Sequence, residues 1–375
     1  MKIKLIKSRF FILSLLLLLA AWGDLRNIIE PAGYWIVWLL GVGLILIFHK
    51  SRINYSLLIL FIIISCSALL SALFNVDQNT LYQSIKILVC GFCLIIVVGF
   101  FKNITFNEFT QAVRVVLSVT IIAYFLSKAV FKDWLVVLGD AREGVVFSYP
   151  GVIWKIGLFA FVVSLVRLFY LFNYKDCIFV LLSFYLVLID GSRTGILLIG
   201  ISFFAINFFL LRNNRKYLFF IIALVSFSAL FISKLFSFEI LALNRISEGD
   251  ETRIRMFKSG LEYIERCWAS GCGFGFASIH DNSLPGGEMV IHNAYIAALV
   301  DFGIFALLAF LIVIFGWWGQ ILLKPLSILS VISFIGVLNF SILMMFHPFS
   351  TEMSEWAWLA FAFGVMNIKE SNLKC

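Results

Sequence analysis

CIFVLLSFYLVLIDGSRTGILLIGISFFAINFFLL, residues 177–211, contains two apolar runs separated by one polar turn, Asp190-Gly191-Ser192-Arg193-Thr194-Gly195. Similar runs recur along the whole chain, and a helix that crosses a bilayer needs ~17 to 25 mostly apolar residues. Reading outward from this pair gives about twelve crossings, near 10–29, 32–48, 55–74, 81–101, 111–131, 150–172, 177–190, 195–211, 217–237, 292–319, 325–346 and 355–368. The expected fold is therefore all-α, a polytopic membrane helical bundle of about 12 transmembrane helices. Three stretches divide one integrated membrane domain: helices 1–9 over 1–237, a loop over 238–291, and helices 10–12 over 292–375.

Composition excludes the soluble classes. The 375 residues are 62% hydrophobic and 13% charged, with a mean hydropathy of +1.04. That much apolar surface exceeds what a water-soluble core can bury. A net charge of +8 would suggest nucleic acid in a soluble domain, but most Lys and Arg fall in short connections between apolar runs. They read as topology signals, and no nucleic-acid partner is expected. Lys2, Lys4, Lys7 and Arg9 ahead of Phe10–Trp22 resemble a signal peptide. This segment is read as an uncleaved first crossing, because retaining it makes the later loop charges consistent.

One set of connections carries Lys50, Arg52, Lys102, Lys175, Arg212, Arg215, Lys216 and Lys324, together with the basic N-terminus and Lys369 and Lys374. The opposite short connections offer Arg26 and Arg193. By the positive-inside rule the first set and both termini are cytoplasmic. Two longer segments, 132–149 and 238–291, then face outward.

The outward loop holds most of the candidate chemistry. A surface helix is expected at Thr252–Cys267, where Ile254, Phe257, Leu261 and Ile264 recur at helical spacing. Arg253 and Arg255 open it, where the helix N-terminus adds partial positive charge for an anion; solvated charge is the plainer account. Arg193 is either a snorkelling anchor or a guanidinium held for bidentate contact with phosphate. Gly271-Cys272-Gly273-Phe274-Gly275 is a flexible, close-approach loop, not a dinucleotide fingerprint, since no βαβ context precedes or follows it. Cys267 and Cys272 share this loop, so a disulfide is open to them, though a helix between them would oppose it. Glu248-Gly249-Asp250 resembles a metal-holding acid pair, but no metal and no cofactor is expected.

His292-Asn293-Ala294-Tyr295 stands where the loop enters the next apolar run. An imidazole at a membrane boundary can accept a proton near neutral pH, or it can simply cap the helix. His280 and His347 are also outward, without metal-ligand spacing. Asp301 falls on the opposite side of that helix from His292 and is expected to pair inside the bundle. Lys86 and Lys155 lie within apolar runs toward the outer side, where they snorkel or line a polar cavity for an anionic head group.

In order and sidedness, Ser192-Arg193-Thr194-Gly195, Thr252-Arg253-Ile254-Arg255-Met256-Phe257, Gly271-Cys272-Gly273, His292-Asn293-Ala294-Tyr295 and Asp301-Phe302-Gly303 together resemble the O-antigen ligase and polymerase family. The resemblance covers roughly residues 180–315. It implies a GT-C-like helical fold and a metal-independent inverting glycosyltransferase on the periplasmic face of the bacterial inner membrane. The donor would be an undecaprenyl-diphosphate-linked oligosaccharide. The acceptor would be another lipid-linked repeat unit, for a polymerase, or lipid A-core, for a ligase; the polymerase is preferred. Arg193 and Arg253, with Arg255 as a further candidate, would bind the diphosphate. Arg253 is preferred because it stands four residues before an aromatic, Phe257, where the family commonly has tryptophan. His292 would activate the acceptor hydroxyl, with Asn293, Tyr295 and Lys155 in support. A chain-length regulator or another polysaccharide-export protein is a candidate partner, besides membrane lipids. The reading from another class is a twelve-span transporter or lipid flippase, and a third is a noncatalytic assembly partner.

Overall fold

The computed structural model describes residues 2–49, 54–75, 78–138, 142–171, 174–211, 251–276, 279–280, 288–289, 291–322 and 327–368, with backbone alone at 2–7, 210–211, 251–254, 279–280, 288–289 and 320–322. Eight α-helices fill the first part: α1 (Lys2–Ala21), α2 (Glu30–Phe48), α3 (Tyr55–Asn75), α4 (Gln78–Phe100), α5 (Phe106–Ala129), α6 (Trp154–Leu171), α7 (Lys175–Asp190) and α8 (Arg193–Leu211). Five follow among the described residues: α9 (Glu251–Cys267), α10 (Ala294–Phe302), α11 (Ile304–Leu322), α12 (Ile328–Leu343) and α13 (Met353–Val365).

Local signals set several boundaries. Thr105 and Glu108 form a capping box that starts α5, and Ser327 does the same for α12 with Ser330. Gly191, in the left-handed region at φ 65°, ends α7, and Ser192 accepts from the Gly195 amide at 3.0 Å to begin α8. The tight turn expected at 190–195 is thus a C-cap followed directly by an N-cap.

Among the described residues, five helical segments are long and apolar enough to cross a membrane: Glu30–Phe48, Tyr55–Asn75, Gln78–Asn103, Phe106–Ala129 and Trp154–Leu171. Shorter apolar helices occur at Ser8–Ala21, Arg193–Phe209, Ile304–Gly319 and Ile328–Leu343. The chain is an integral membrane helical protein. Large apolar side chains such as Ile47, Leu73, Phe204 and Phe305 stand exposed on its flanks, where lipid is the solvent that accepts them.

Among the described residues the expected crossings are not all single helices: the first, 10–29, gives way to a 3-10 turn at Gly23–Asn27 after α1 ends at Ala21. The run 292–319 is two helices, because Gly303, at φ 87°, breaks it between α10 and α11. The run 217–237, the cytoplasmic charges at 212–216 and the acid pair at 248–250 lie outside the described residues. Among the described residues, two short antiparallel strand pairs interrupt the all-α plan: β1 (Leu135–Leu138) with β2 (Arg142–Val145), and β3 (Ile279–His280) with β4 (Glu288–Met289).

Helices pair as antiparallel neighbours, α3 with α4 and α6 with α7, while α13 packs against α4, α12 and α1. Aromatic rings fill the middle: Phe101 contacts Phe109 and Phe361, and Phe159 contacts Phe109, Phe361 and Trp358. Toward the side expected to be cytoplasmic, Asp176 is fully buried and paired with both Arg114 and Arg167, which ties α5, α6 and α7 together. Such a carboxylate is tolerated because two guanidinium groups replace its hydration.

Candidate functional site

The opposite end of the bundle is organised by backbone contacts between distant loops. After α9 the chain turns through residues 268–276 and lies on the break between α10 and α11. Cys272 N–H donates to the Val300 carbonyl at 2.8 Å, Gly273 N–H to Asp301 at 3.1 Å, and Ile304 N–H to Trp268 at 2.8 Å. Gly271 sits at φ 76°, and a Cβ there would collide with the Asp301 carbonyl, so the close approach read from the glycine pattern has a definite partner. The Ser67 and Ser71 hydroxyls donate to the carbonyls of Phe302 and Asp301, and Thr80 accepts from Phe274 N–H at 2.6 Å, which fixes the assembly to α3 and α4.

Cys267 and Cys272 form a disulfide. The expected obstacle, a helix between them, is absent because α9 ends at Cys267 and the chain has reversed by residue 272. The face of α9 that packs on the protein is not its apolar stripe. Met256, Gly260 and Cys267 are its buried positions, while Phe257 and Leu261 are exposed. Gly260 decides this, since its missing side chain admits Ile291 and Ile296 against the helix. The stripe through Phe257 and Leu261 is then free to meet lipid.

His292 lies between Ile291, which is buried, and Asn293, whose carboxamide accepts from the amides of Tyr295 and Ile296 at 3.1 Å and caps α10. Tyr295 donates its hydroxyl to the Ser341 carbonyl at 2.9 Å, and Ala294 N–H donates to Met344 at 2.8 Å. Asn293 and Tyr295 therefore position the segment around His292 and tie it to the loop that carries His347. His292 lies close enough to His347 to disfavour its protonation electrostatically. Burial acts first and Lys155 second, and together they hold the His347 imidazole down at about 4, so it is neutral at physiological pH.

A cavity of about 370 Å³ opens beside these residues. Its charged and titratable lining is Asp24, Arg26, Lys86, Asp301, His347, Glu352 and Glu355, with Phe274 and Phe349 on its apolar side. Asp24 accepts from Tyr149 N–H at 2.7 Å, which anchors the segment before the α6 helix. Lys86 pairs with Glu352, which also lies 3.9 Å from Arg26, and Lys155 donates to both oxygens of Glu355 at 2.5 and 2.6 Å. The two lysines thus meet carboxylates of the chain itself, not a vacant anion site. Asp301 differs from its expected pairing as well: its carboxyl faces the Gly275 and Phe276 amides and the cavity. A helix end broken at Gly303 leaves those loop amides within its reach.

The arginines singled out by motif stand elsewhere. Arg193 is half-buried at the first position of α8, in a turn fixed by Asp190, which accepts from Arg142 at 2.9 Å and from Gly151 N–H at 2.6 Å. Arg255 is exposed on α9; for Arg253 and His280 the side chains are outside the described residues. Neither Arg193 nor Arg255 belongs to the described cavity lining. Asp24, Gln83, Glu352 and Glu355 were not foreseen as site residues. The signal was present, since Glu352 and Glu355 enter an apolar run three residues apart while Lys86 and Lys155 lie in others, and such charges require partners.

Residues 178–311 match the family described as O-antigen ligase. No curated protein matches the chain. The segment runs from α7 into α11 and contains Arg193, Arg253, Arg255 and His292, the four residues to which the motif resemblance gave chemical roles. The family match supports a role of the O-antigen ligase and polymerase type in polysaccharide assembly. Most of the charged cavity wall comes from outside it, from Asp24, Arg26, Lys86, His347, Glu352 and Glu355.

Proposed function

We propose that this chain is an inverting, metal-independent membrane glycosyltransferase of GT-C-like fold. It works on the periplasmic face of the inner membrane, with both termini in the cytoplasm. It takes glycan from an undecaprenyl-diphosphate-linked donor and extends O-antigen or a related surface polysaccharide. The observation that carries this reading is the family segment, which spans all four motif residues, together with the proximity of His292 to His347 at the cavity.

A sugar 1-diphosphate already has a competent leaving group. The protein must offset the charge that develops on it and remove a proton from the incoming hydroxyl. In this proposal Arg193 and Arg253, with Arg255 beside them, hold the diphosphate. His292 accepts the hydroxyl proton as the acceptor oxygen attacks the anomeric carbon, whose configuration inverts, and no covalent enzyme intermediate is required. Asn293 and Tyr295 support His292 by fixing its backbone, and Lys155 by holding Glu355 and depressing His347. The Cys267–Cys272 disulfide supports the outward placement of the loop, since such bonds persist in oxidising compartments.

Transfer to lipid A-core instead of another repeat unit is the second reading, and the description of the matched family as O-antigen ligase fits it equally. A gel of surface lipopolysaccharide from a deletion strain carrying His292→Ala separates the readings. Core bearing one repeat indicates lost polymerisation, and bare core with accumulated lipid-linked polymer indicates lost ligation. An unchanged ladder would remove His292 from the chemistry and revive the transporter or assembly-partner readings.

A further inference from the structure

The two substrates of such a transfer make opposite electrostatic demands. A diphosphate needs cations that are not already neutralised, whereas an acceptor sugar presents hydroxyls that need acceptors. The cavity wall has carboxyl groups at Asp24, Asp301, Glu352 and Glu355 against cations at Arg26 and Lys86, with Lys155 behind Glu355. Each of those cations already faces a carboxylate: Lys86 and Arg26 share Glu352, Arg26 also lies 3.9 Å from Asp24, and Lys155 holds Glu355.

A phosphate or uronate entering here would meet an excess of carboxyl groups and would have to displace an internal counterion in a partly desolvated space. A sugar hydroxyl would not. An ionised carboxylate offers roughly four lone-pair sites, so Glu352 and Asp24 can accept from hydroxyls without releasing their cations. Gln83 and Ser350 add neutral polar groups, and Phe274 and Phe349 offer an apolar wall for the C–H face of a ring. The volume lies within the roughly 300–1,000 Å³ usual for small-molecule sites.

We propose that this cavity holds the acceptor sugar and selects a neutral or amino-bearing ring over one that carries carboxylate or phosphate, with Glu352 and Asp24 accepting its hydroxyl hydrogen bonds. This specificity rests on the glycosyltransferase reading and assigns the cavity to the acceptor.

The test uses the full chain in detergent micelles and measures the affinity of methyl glucoside, methyl glucosaminide and methyl glucuronide by ligand-observed NMR, with farnesyl diphosphate as a separate donor probe. The glucoside and glucosaminide are expected to bind at least about tenfold more tightly than the glucuronide, the scale of one charge-assisted hydrogen bond. Glu352→Gln should weaken the glucoside by about tenfold, narrow or invert the preference against glucuronide, and leave farnesyl diphosphate unaffected. Equal or tighter glucuronide binding, no sugar binding at millimolar concentration, or an unchanged glucoside affinity in Glu352→Gln would overturn the proposal. If Glu352→Gln does not fold, the three-sugar comparison on the unaltered chain and Asp24→Asn decide it. Farnesyl diphosphate that fails to bind, or binds equally to Arg193→Ala, counts against the glycosyltransferase reading and not against the sugar preference.

Discussion

Lys155 and Glu355 face each other at 2.5 Å with 3% and 14% of their side chains exposed, an arrangement that is costly to break from one side only. Removing one partner of a buried pair typically costs about 3 kcal/mol or more, whereas replacing both is far milder. Lys155→Met is therefore expected to lower stability by roughly 3 kcal/mol, and Lys155→Met with Glu355→Gln to recover much of the loss, as read in a double-mutant cycle of unfolding in detergent. His347 carries a second consequence. Its folded-state value near 4 lies below the ordinary 6.5, so between those limits the unfolded chain takes up a proton that the folded chain refuses. This group should leave stability flat above about pH 6.5 and lower it as pH falls toward about pH 4. The thermal midpoint of the protein should drop more between about pH 7.5 and pH 5 than that of His347→Gln, and equal slopes would show that burial, Lys155 and His292 do not act on this imidazole. The sequence made Lys86 and Lys155 conspicuous because a cation in an apolar run is expensive. Glu352 and Glu355 carried the same signal, but acids at the start of a helix are ordinary, so nothing local tied them to those lysines.

The α9 helix and the loop that follows it show how far local patterning reaches. Helical spacing located Thr252–Cys267, and the structure places the helix at Glu251–Cys267. The buried face was not legible, because a glycine has no hydrophobicity to register, yet Gly260 is where α9 meets Ile291 and Ile296. The break between α10 and α11 was missed for a related reason. Residues 292–319 are apolar throughout, and Gly303 within such a run is compatible with a continuous helix until the 268–276 loop takes up its neighbouring backbone groups. The Cys267–Cys272 bond closes the end of α9 onto that loop. Its short closed ring makes the expected contribution roughly 2 kcal/mol. Replacing both cysteines by serine should lower the unfolding midpoint accordingly, while a reductant should lower that of the parent and leave the serine variant unmoved.

Across the molecule, the cavity joins elements far apart in the chain: the 3-10 turn at Gly23–Asn27, α4, the loop after α9, and the segment from His347 into α13. If these share the outer face, a membrane-impermeant thiol reagent should reach a cysteine placed at position 292 or 347 from the periplasmic side, and one placed at Lys102 only after the membrane is opened. Labelling of residue 292 from the cytosolic side would invert the topology and remove the periplasmic chemistry with it.

Membrane residence, helical class and many helix ends followed from local chemistry: apolar runs that water cannot solvate, and capping residues that act within one turn of themselves. The order of the motif arginines and His292, whose roles stand as part of the proposal, was legible too, because a short motif keeps its order along the chain whatever the packing. Which charges neutralise one another was not. Lys86 and Glu352 are 266 residues apart, and Lys155 and Glu355 are 200 apart. Coulomb interactions depend on distance in space, and folding of the helices around one another sets that distance.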